Sequence, residues 1–339
     1  MLAVLLAALL LLGACTDDPE AGGNEEGPET AAEPEAPPFC PLTGEDPPKD
    51  IKLTRPALAL KIENSPEARP QSGLDQADIV YEEIVEGGAT RFMAIYHCHD
   101  AARGGPVRSA RFDDPKIAKP FTKILAYSGA NLIVQNEIKK QKLIPLHEQN
   151  AGGALFRVPA GSTDVHSLFG DTRRLRQLGV KKRKLEPPAS AYFKFDDAPK
   201  GGKVRSVTLK FNPNVEISWR WKGGKWARFE DGVRFLTAGG KQISTPNLLV
   251  QEVEVNDSQT IVDVAGNPSP DIALDGKGRA FLFRDGEVVR GTWKAGKDGV
   301  PKFETKDGDP FTFDVGSTWI ELVPSKKGSV KGSIAFSKK

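Results

Sequence analysis

The sequence lacks the short motifs by which many enzyme classes can be recognised. It contains no G-x-S-x-G elbow, H-E-x-x-H pair, C-x-x-C pair, P-loop or dinucleotide glycine fingerprint, and nothing in it predicts a cofactor. An excess of one charge is also missing. With 47 basic and 45 acidic residues the net charge is +2, so the total charge does not indicate a nucleic-acid partner.

Only one long uncharged apolar run occurs, and it lies at the start of the chain. The run from Leu2 to Leu12 is too short to span a bilayer and is followed by Gly13-Ala14-Cys15, as in a bacterial lipoprotein signal. We predict a signal peptide over residues 1–14 and a mature chain beginning at Cys15. Acyl chains on that thiol, such as palmitate, would anchor the protein to the cell membrane on its extracytoplasmic side. The alternative is an ordinary secretory signal cleaved near Ala14.

Large apolar residues are almost absent from residues 15–50, which hold eleven acidic side chains and one lysine. Such a segment cannot form a core, and we predict a disordered acidic tether. Cysteine is scarce as well, with three residues in the chain. Outside the cytoplasm Cys40 and Cys98 can form a disulfide that fixes the end of the tether to the first domain, although two isolated thiols remain the alternative.

Residues 51–185 alternate short apolar runs with turn residues and predicted helices. Residues 80–85 and 91–96 read as a hairpin that turns at Gly87-Gly88. With a two-residue turn, Arg91 would face Ile84, and Glu82 and Glu86 would be its diagonal neighbours on the same face.

Residues 186–336 form a second region of short strands with glycine-rich turns. Gly223-Gly224 and Asp285-Gly286 each join two strand-like runs. The predicted fold class is α+β, with a mixed α/β N-terminal domain over residues 51–185 followed by a mostly antiparallel β C-terminal domain over residues 186–336.

The strongest group of polar residues lies in the first domain, and no catalytic residue can be singled out from it. Arginines two or three positions apart in a Gly/Pro loop suit carboxylate or phosphate oxygens. The candidate ligand-binding residues are Asn64, Arg69, Glu82, Glu86, Arg91, Arg108, Ser109, Arg111 and His166. The alternative is that Arg91, Arg108 and Arg111 pair with carboxylates inside the fold and only hold loops in place.

A histidine pair and a basic run are two further polar patterns in the sequence. His97-Cys98-His99 places two imidazoles on one strand face, but such a pair is more often surface decoration, and we predict no metal site. The basic run Lys181-Lys182-Arg183-Lys184 has no interleaved aromatic residues, so it indicates a solvated helix end or a contact with an anionic polymer, and no nucleic-acid partner.

Several blocks of the chain together resemble one bacterial family. The blocks are Lys61-Ile62-Glu63-Asn64, Ala68-Arg69-Pro70-Gln71-Ser72-Gly73-Leu74, Ala77-Asp78-Ile79-Val80-Tyr81-Glu82, Gly105-Pro106-Val107-Arg108-Ser109-Ala110-Arg111, Phe283-Arg284-Asp285-Gly286 and Gly316-Ser317-Thr318-Trp319-Ile320-Glu321. In this order they resemble the YerB-type lipoproteins. The resemblance implies two domains of α plus β structure and leaves the activity open. Ser167 stands where the family usually has Asn after the histidine.

These features favour a membrane-anchored lipoprotein that binds an envelope ligand through an anionic group, such as a cell-wall polymer, or binds an envelope protein. The alternative is a cell-envelope hydrolase or transferase that uses Glu82 or Glu86 as general acid or base with His166. A third interpretation is a scaffold without a small ligand.

Overall fold

The computed structural model describes residues 38–182, 184–189, 192–197, 201–263, 265–296 and 299–338. The predicted signal peptide, Cys15 and most of the predicted tether lie outside these residues. No helix among the described residues is long and apolar enough to cross a membrane.

The fold is mixed, with many strands and few helices, in agreement with the predicted α+β class. The first part of the chain forms β1 (Leu58–Glu63), β2 (Ile79–Ile84), β3 (Thr90–Tyr96), α1 (Asp114–Ala118), β4 (Ile124–Ala126), α2 (Leu132–Lys140), β5 (Ile144–Leu146), β6 (Leu155–Arg157), β7 (Leu168–Gly170) and α3 (Thr172–Lys182). The later part forms β8 (Lys194–Phe195), β9 (Gly202–Asn212), β10 (Val215–Lys222), β11 (Lys225–Glu230), β12 (Val233–Arg234), β13 (Ser244–Thr245), β14 (Asn247–Val253), β15 (Val255–Val262), β16 (Pro268–Ile272), β17 (Lys277–Arg284), β18 (Glu287–Ala295), β19 (Pro301–Thr305), β20 (Thr312–Phe313), β21 (Thr318–Pro324) and β22 (Ser333–Lys338).

Sixteen of the described strands belong to one continuous sheet. Its main path runs β12-β11-β10-β9-β18-β17-β14-β21-β2-β3-β1-β4-β5, and β13, β19 and β22 pair with β11, β18 and β9. Most neighbours are antiparallel, but β21 is parallel to both β14 and β2, and β4 is parallel to both β1 and β5. The β2–β21 pair therefore joins strands from both predicted domains, and the described residues belong to one compact unit.

Both glycine-containing hairpins predicted for the second half are confirmed. Lys222 pairs with Lys225 across Gly223-Gly224, and Arg284 pairs with Glu287 across Asp285-Gly286. Asp285 and Gly286 have φ values of 52° and 70°. Positive φ at both central residues is what a tight turn needs if its twist is to match that of the strands it joins.

The register predicted for the first hairpin is wrong by one residue. Arg91 lies opposite Glu83 instead of Ile84, because residues 85–89 form a longer connection that contains a short 3-10 turn. A slip of one residue moves every side chain of a strand to the other face. Glu83 therefore shares a face with Arg91, and Glu82 points to the opposite face beside Phe92.

The predicted disulfide between Cys40 and Cys98 is present, and both cysteines are buried. Leu42 and Thr43 are buried as well, and the Thr43 carbonyl accepts a hydrogen bond of 2.7 Å from the Gly316 amide. Residues 40–43 thus pack on the fold, so the tether predicted as far as residue 50 is too long at this end. A cross-link over 58 residues contributes about 4 kcal/mol in the loop-entropy description.

Candidate functional site

The face of the sheet that carries Glu63 holds most of the candidate residues. Glu63 ends β1 and lies directly opposite Arg91 of β3. Its buried carboxylate is 2.8 Å from the Nε atom of Arg108 and 2.9 Å from Nδ1 of His166. The strand end therefore brings two cations and a histidine from distant parts of the chain to one carboxylate.

The loop over residues 104–111 is fixed against the end of β1 by backbone hydrogen bonds. The Glu63 amide donates to the Pro106 carbonyl at 3.0 Å, and the Arg108 amide donates to the Lys61 carbonyl at 3.0 Å. Gly105 adopts a φ of 144°, and a Cβ there would lie 2.9 Å from the amide nitrogen of Val107. A glycine is therefore required where the loop turns, and the loop presents Arg108 in a defined position.

Arg111 and Glu86 form a second ion pair beside the first. The Nε atom of Arg111 donates to one oxygen of Glu86, and Ser269 donates to the other at 2.6 Å. Arg91 and Arg111 also donate to the carbonyl of Ser109, at 3.2 and 3.3 Å. The backbone of Ser109 thus holds two of the three guanidinium groups, which makes this residue the centre of the group.

We call Arg91, Arg108 and Arg111 the arginine cluster. These three guanidinium groups face two carboxylates, Glu63 and Glu86, so one positive charge has no counter-charge within the group. Burial, with repulsion from Arg111 and Arg108, lowers the pKa of Arg91 to about 10. At neutral pH the cluster keeps its charge, and an anion placed beside it would relieve the repulsion.

Arg108 is the least satisfied member of the cluster. Its Nε atom lies 2.8 Å from Glu63, but the N–H is not directed at that oxygen, so the contact is an ion pair without a hydrogen bond. No hydrogen bond from this guanidinium to any of the described residues is present. Its side chain is 24% exposed. The planar donor fork of Arg108 is therefore available to a carboxylate or phosphate oxygen.

A buried ionic group lies behind the cluster on the same face. Lys61 of β1 pairs with Glu83 and with Asp114 at the start of α1, and all three are inaccessible to solvent. Burial, followed by the charge of Asp114, raises the pKa of Glu83 well above its usual range. Glu83 therefore holds its proton, Lys61 is matched by Asp114, and this group leaves the positive charge of the arginine cluster unbalanced.

Three of the predicted site residues, Asn64, Arg69 and Glu82, lie on the opposite face. Glu82 is fully buried, and its two oxygens accept hydrogen bonds of 2.9 and 2.8 Å from Arg228 of β11. Arg228 also donates to Glu230 at 2.8 Å, and Glu230 is paired with Arg69. These residues connect the two parts of the chain inside the protein. The structure therefore does not bring Glu82 together with His166, because Glu82 is on the other side of the sheet.

Sequence reasoning missed three residues that matter here. Glu63 directly precedes Asn64 and is not among the candidates, although its carboxylate contacts both Arg108 and His166. Arg228 gave no local signal, since its partner Glu82 is 146 residues away. Ser128, whose Oγ lies 3.4 Å from that of Ser109, follows a short parallel strand, and the carboxyl ends of such strands are where ligands usually bind.

The other sequence predictions are placed as follows. His97 is buried and His99 contacts Asp78, and no group of residues able to hold a metal is found in the described part of the chain. Lys181 and Lys182 are exposed at the end of α3, while Arg183 and the lipidation candidate Cys15 lie outside the described residues.

Comparison with known proteins identifies the family. A family model described as the N-terminal domain of a protein of unknown function, DUF3048, matches residues 42–186, and the model of its C-terminal domain matches residues 206–320. "Putative lipoprotein YerB" of Bacillus subtilis (strain 168) is 30% identical over 297 residues, which cover 84% of this chain and 86% of that protein. The chain belongs to the YerB-like family.

The crystal structure of YerB from Bacillus subtilis has the same fold. It matches with a TM-score of 0.72 at 26% identity, covering 87% of this chain and 98% of that one. The family resemblance predicted from the sequence is therefore confirmed. The YerB-like family carries no described activity, so the function of this member has to be inferred from its own residues.

Proposed function

We propose that this chain is an extracytoplasmic lipoprotein, anchored to the cell membrane through Cys15, that binds an anionic group of an envelope ligand at the arginine cluster. The relative YerB bears the name of a lipoprotein, which supports the anchor. The observation that carries the binding function is the guanidinium of Arg108, which is partly exposed and makes no hydrogen bond to the described residues.

The surroundings of Arg108 are suited to holding an anion. Arg91 is 8% exposed and adds a second, almost desolvated positive charge. Ser109 supplies a hydroxyl group at the same place. A carboxylate or phosphate here would accept charge-assisted hydrogen bonds, which are about twice as strong as neutral ones.

Binding is tested with the full mature chain in detergent micelles by titration calorimetry. The probes are peptidoglycan fragments and poly(glycerol phosphate), and mass spectrometry of the same samples measures turnover. Arg108→Gln keeps the length and polarity of the side chain but removes the fork and its charge, so we expect affinity to fall by about tenfold or more. Arg205→Gln, at an exposed site on β9, is the control and should bind as the wild type does. Equal affinities for both variants would contradict the proposal.

A hydrolase or transferase remains the second candidate, and one observation favours it. His166 is held by a buried carboxylate, with Nδ1 2.9 Å from Glu63, and its ring is partly exposed. Such an orienting carboxylate is common for a histidine that acts as a general base. Turnover of a probe that is lost in His166→Gln, with binding retained, would favour this function over simple binding.

A further inference from the structure

A cleft of about 490 Å³ opens next to the arginine cluster, on the other side of Ser109. It lies at the carboxyl ends of β4 and β5, where residues 127–130 leave one strand and residues 147–149 leave the other, and α2 forms the facing wall. In sheets with parallel strands, ligands bind at this end because the connecting loops diverge there. The position of the cleft is therefore that of a binding site.

The cleft and the arginine cluster share one wall. The Ser128 amide donates to the Arg108 carbonyl, and the Ala110 amide donates to the Gly129 carbonyl, both at 3.0 Å. The hydroxyl groups of Ser109 and Ser128 are 3.4 Å apart. Ser109 and Ser128 therefore lie where the arginine cluster and the cleft adjoin.

The lining of the cleft is positively charged. Lys139 and Lys142 both line it, and none of the described residues that line it is an aspartate or a glutamate. His147 lines the cleft as well, with its ring centre 5.8 Å from that of Tyr127. Burial, with the charge of Lys182 nearby, lowers the pKa of His147, so its ring is neutral at physiological pH and can donate or accept a hydrogen bond. The lining thus combines cations with neutral hydrogen-bonding groups.

Tyr127 adds a hydroxyl group to the wall of the cleft. Its ring packs in the core, with 2% of the residue exposed. Burial raises its pKa to about 12, so the hydroxyl keeps its proton and is a donor. The hydroxyl can therefore donate a hydrogen bond to a ligand in the cleft.

We infer that the cleft binds the next unit of the polymer whose anionic group lies at the arginine cluster, and that the ligand is a hydroxylated polyanion. In such a polymer, phosphate or carboxylate groups are separated by sugar or polyol units. One charge contacts Arg108, the hydroxylated unit passes Ser128 and Tyr127, and the next charge lies between Lys139 and Lys142. This inference rests on the proposed function, and it adds the class of ligand and a second subsite.

Oligomers of increasing length test the inference. Glycerol phosphate oligomers and galacturonate oligomers, each from a single unit upward, are titrated into the full mature chain in detergent micelles. We expect the Kd to fall by about tenfold or more at the length that first reaches the cleft, because the second contact is then intramolecular. We call this fall in Kd at one oligomer length the length step. A length step with glycerol phosphate alone identifies phosphate as the anionic group, and a length step with galacturonate alone identifies carboxylate.

Variants separate the two subsites. Tyr127→Phe removes only the hydroxyl and should lower the affinity of long oligomers by about fivefold, while the melting temperature stays unchanged because no internal hydrogen bond is lost. Adding Lys139→Gln should abolish the length step, so that long oligomers bind no more tightly than short ones. Binding of a single unit should stay as it is in the wild type. Lys140→Gln is the matched control, since Lys140 is the next residue of α2 and does not line the cleft.

The two proposals fail in different ways. If single units bind and depend on Arg108 but affinity does not increase with length, the cleft is not a subsite and the inference is overturned while the proposed function stands. If the double variant Tyr127→Phe with Lys139→Gln keeps the length step, the inference is likewise overturned. If no oligomer binds, or if Arg108→Gln binds every length as the wild type does, the proposed function fails and the inference fails with it.

Discussion

Replacing Arg228 by Met should lower the stability of the folded protein more than any single substitution in the arginine cluster does. The Arg228 side chain is inaccessible to solvent, contacts Glu82 and Glu230 at 2.8 Å, and lies 4.0 Å from the centre of the Phe235 ring. Methionine fills much of the same volume but leaves the buried Glu82 without a cation, while Glu230 keeps only Arg69. Breaking a buried ion pair from one side costs about 3–5 kcal/mol. In a chain of this size that lowers the melting temperature by on the order of 10 °C.

The pH dependence of this loss can be derived from Glu82. Burial already raises the pKa of Glu82, and the charge of Arg228 opposes that rise. In Arg228→Met the opposing charge is gone, so the folded-state pKa of Glu82 rises further above its unfolded value. The folded variant then binds a proton more tightly than the unfolded chain does. Protonation of Glu82 therefore stabilises the folded variant at low pH, and this contribution is lost as pH rises through the folded-state pKa.

Denaturant unfolding at about pH 5 and about pH 8 measures both effects. The deficit of Arg228→Met relative to the wild type should be larger at the higher pH, and adding Glu82→Gln should recover part of it. Arg220→Met is the control, because Arg220 is exposed and stacks on Phe229, and it should cost about 1 kcal/mol or less. A loss for Arg228→Met no larger than for this control, or one that does not change with pH, would refute the reasoning.

Two further predictions concern the anchor and His97. Cys15→Ala should move the protein from the membrane fraction to the soluble or secreted fraction, and detergent-dependent fractionation that stays unchanged would contradict lipidation. Burial lowers the pKa of His97 to about 4, so the unfolded chain takes up its proton first. The stability that His97 contributes, up to about 3 kcal/mol, is present above pH 6.5 and lost as pH falls toward 4. As pH falls across this range, the melting temperature should fall less steeply in His97→Gln than in the wild type. Equal slopes would contradict the predicted role of His97.

Local patterns in the sequence predicted those parts of the fold that depend on neighbouring residues. Gly223-Gly224 and Asp285-Gly286 specify tight turns, so the strands on each side pair as expected. Cys40 and Cys98, the two cysteines beyond the predicted signal, form the predicted disulfide. The parallel pairing of Ile79 with Thr318 has no local signal, since nothing in either strand indicates a partner so far along the chain.

The candidate site was predicted in part, and the misplacement of Glu82 has one cause. Six of the nine candidate residues come together on the face that carries Glu63: Glu86, Arg91, Arg108, Ser109, Arg111 and His166. A two-residue turn at Gly87-Gly88 predicts Glu82 on that face, whereas the connection spans residues 85–89. Turn length sets register, and register decides which face a side chain occupies. The contact between His166 and Glu63, which are 103 residues apart, depends on tertiary structure and could not be predicted from either segment.

The bridge between Cys40 and Cys98 also determines where a mechanical load enters the protein. A pull applied through the residues before Pro38 reaches Cys40 and passes through the sulfur atoms to Cys98, two residues beyond β3. The bridge is a covalent path that is much shorter than the one through residues 41–97. β3 is hydrogen-bonded to β1 on one side and β2 on the other, so a load that reaches Cys98 is passed to two neighbouring strands. A protein held to a membrane at this end could therefore withstand drag on a bound polymer while the loop that carries Arg108 keeps its position.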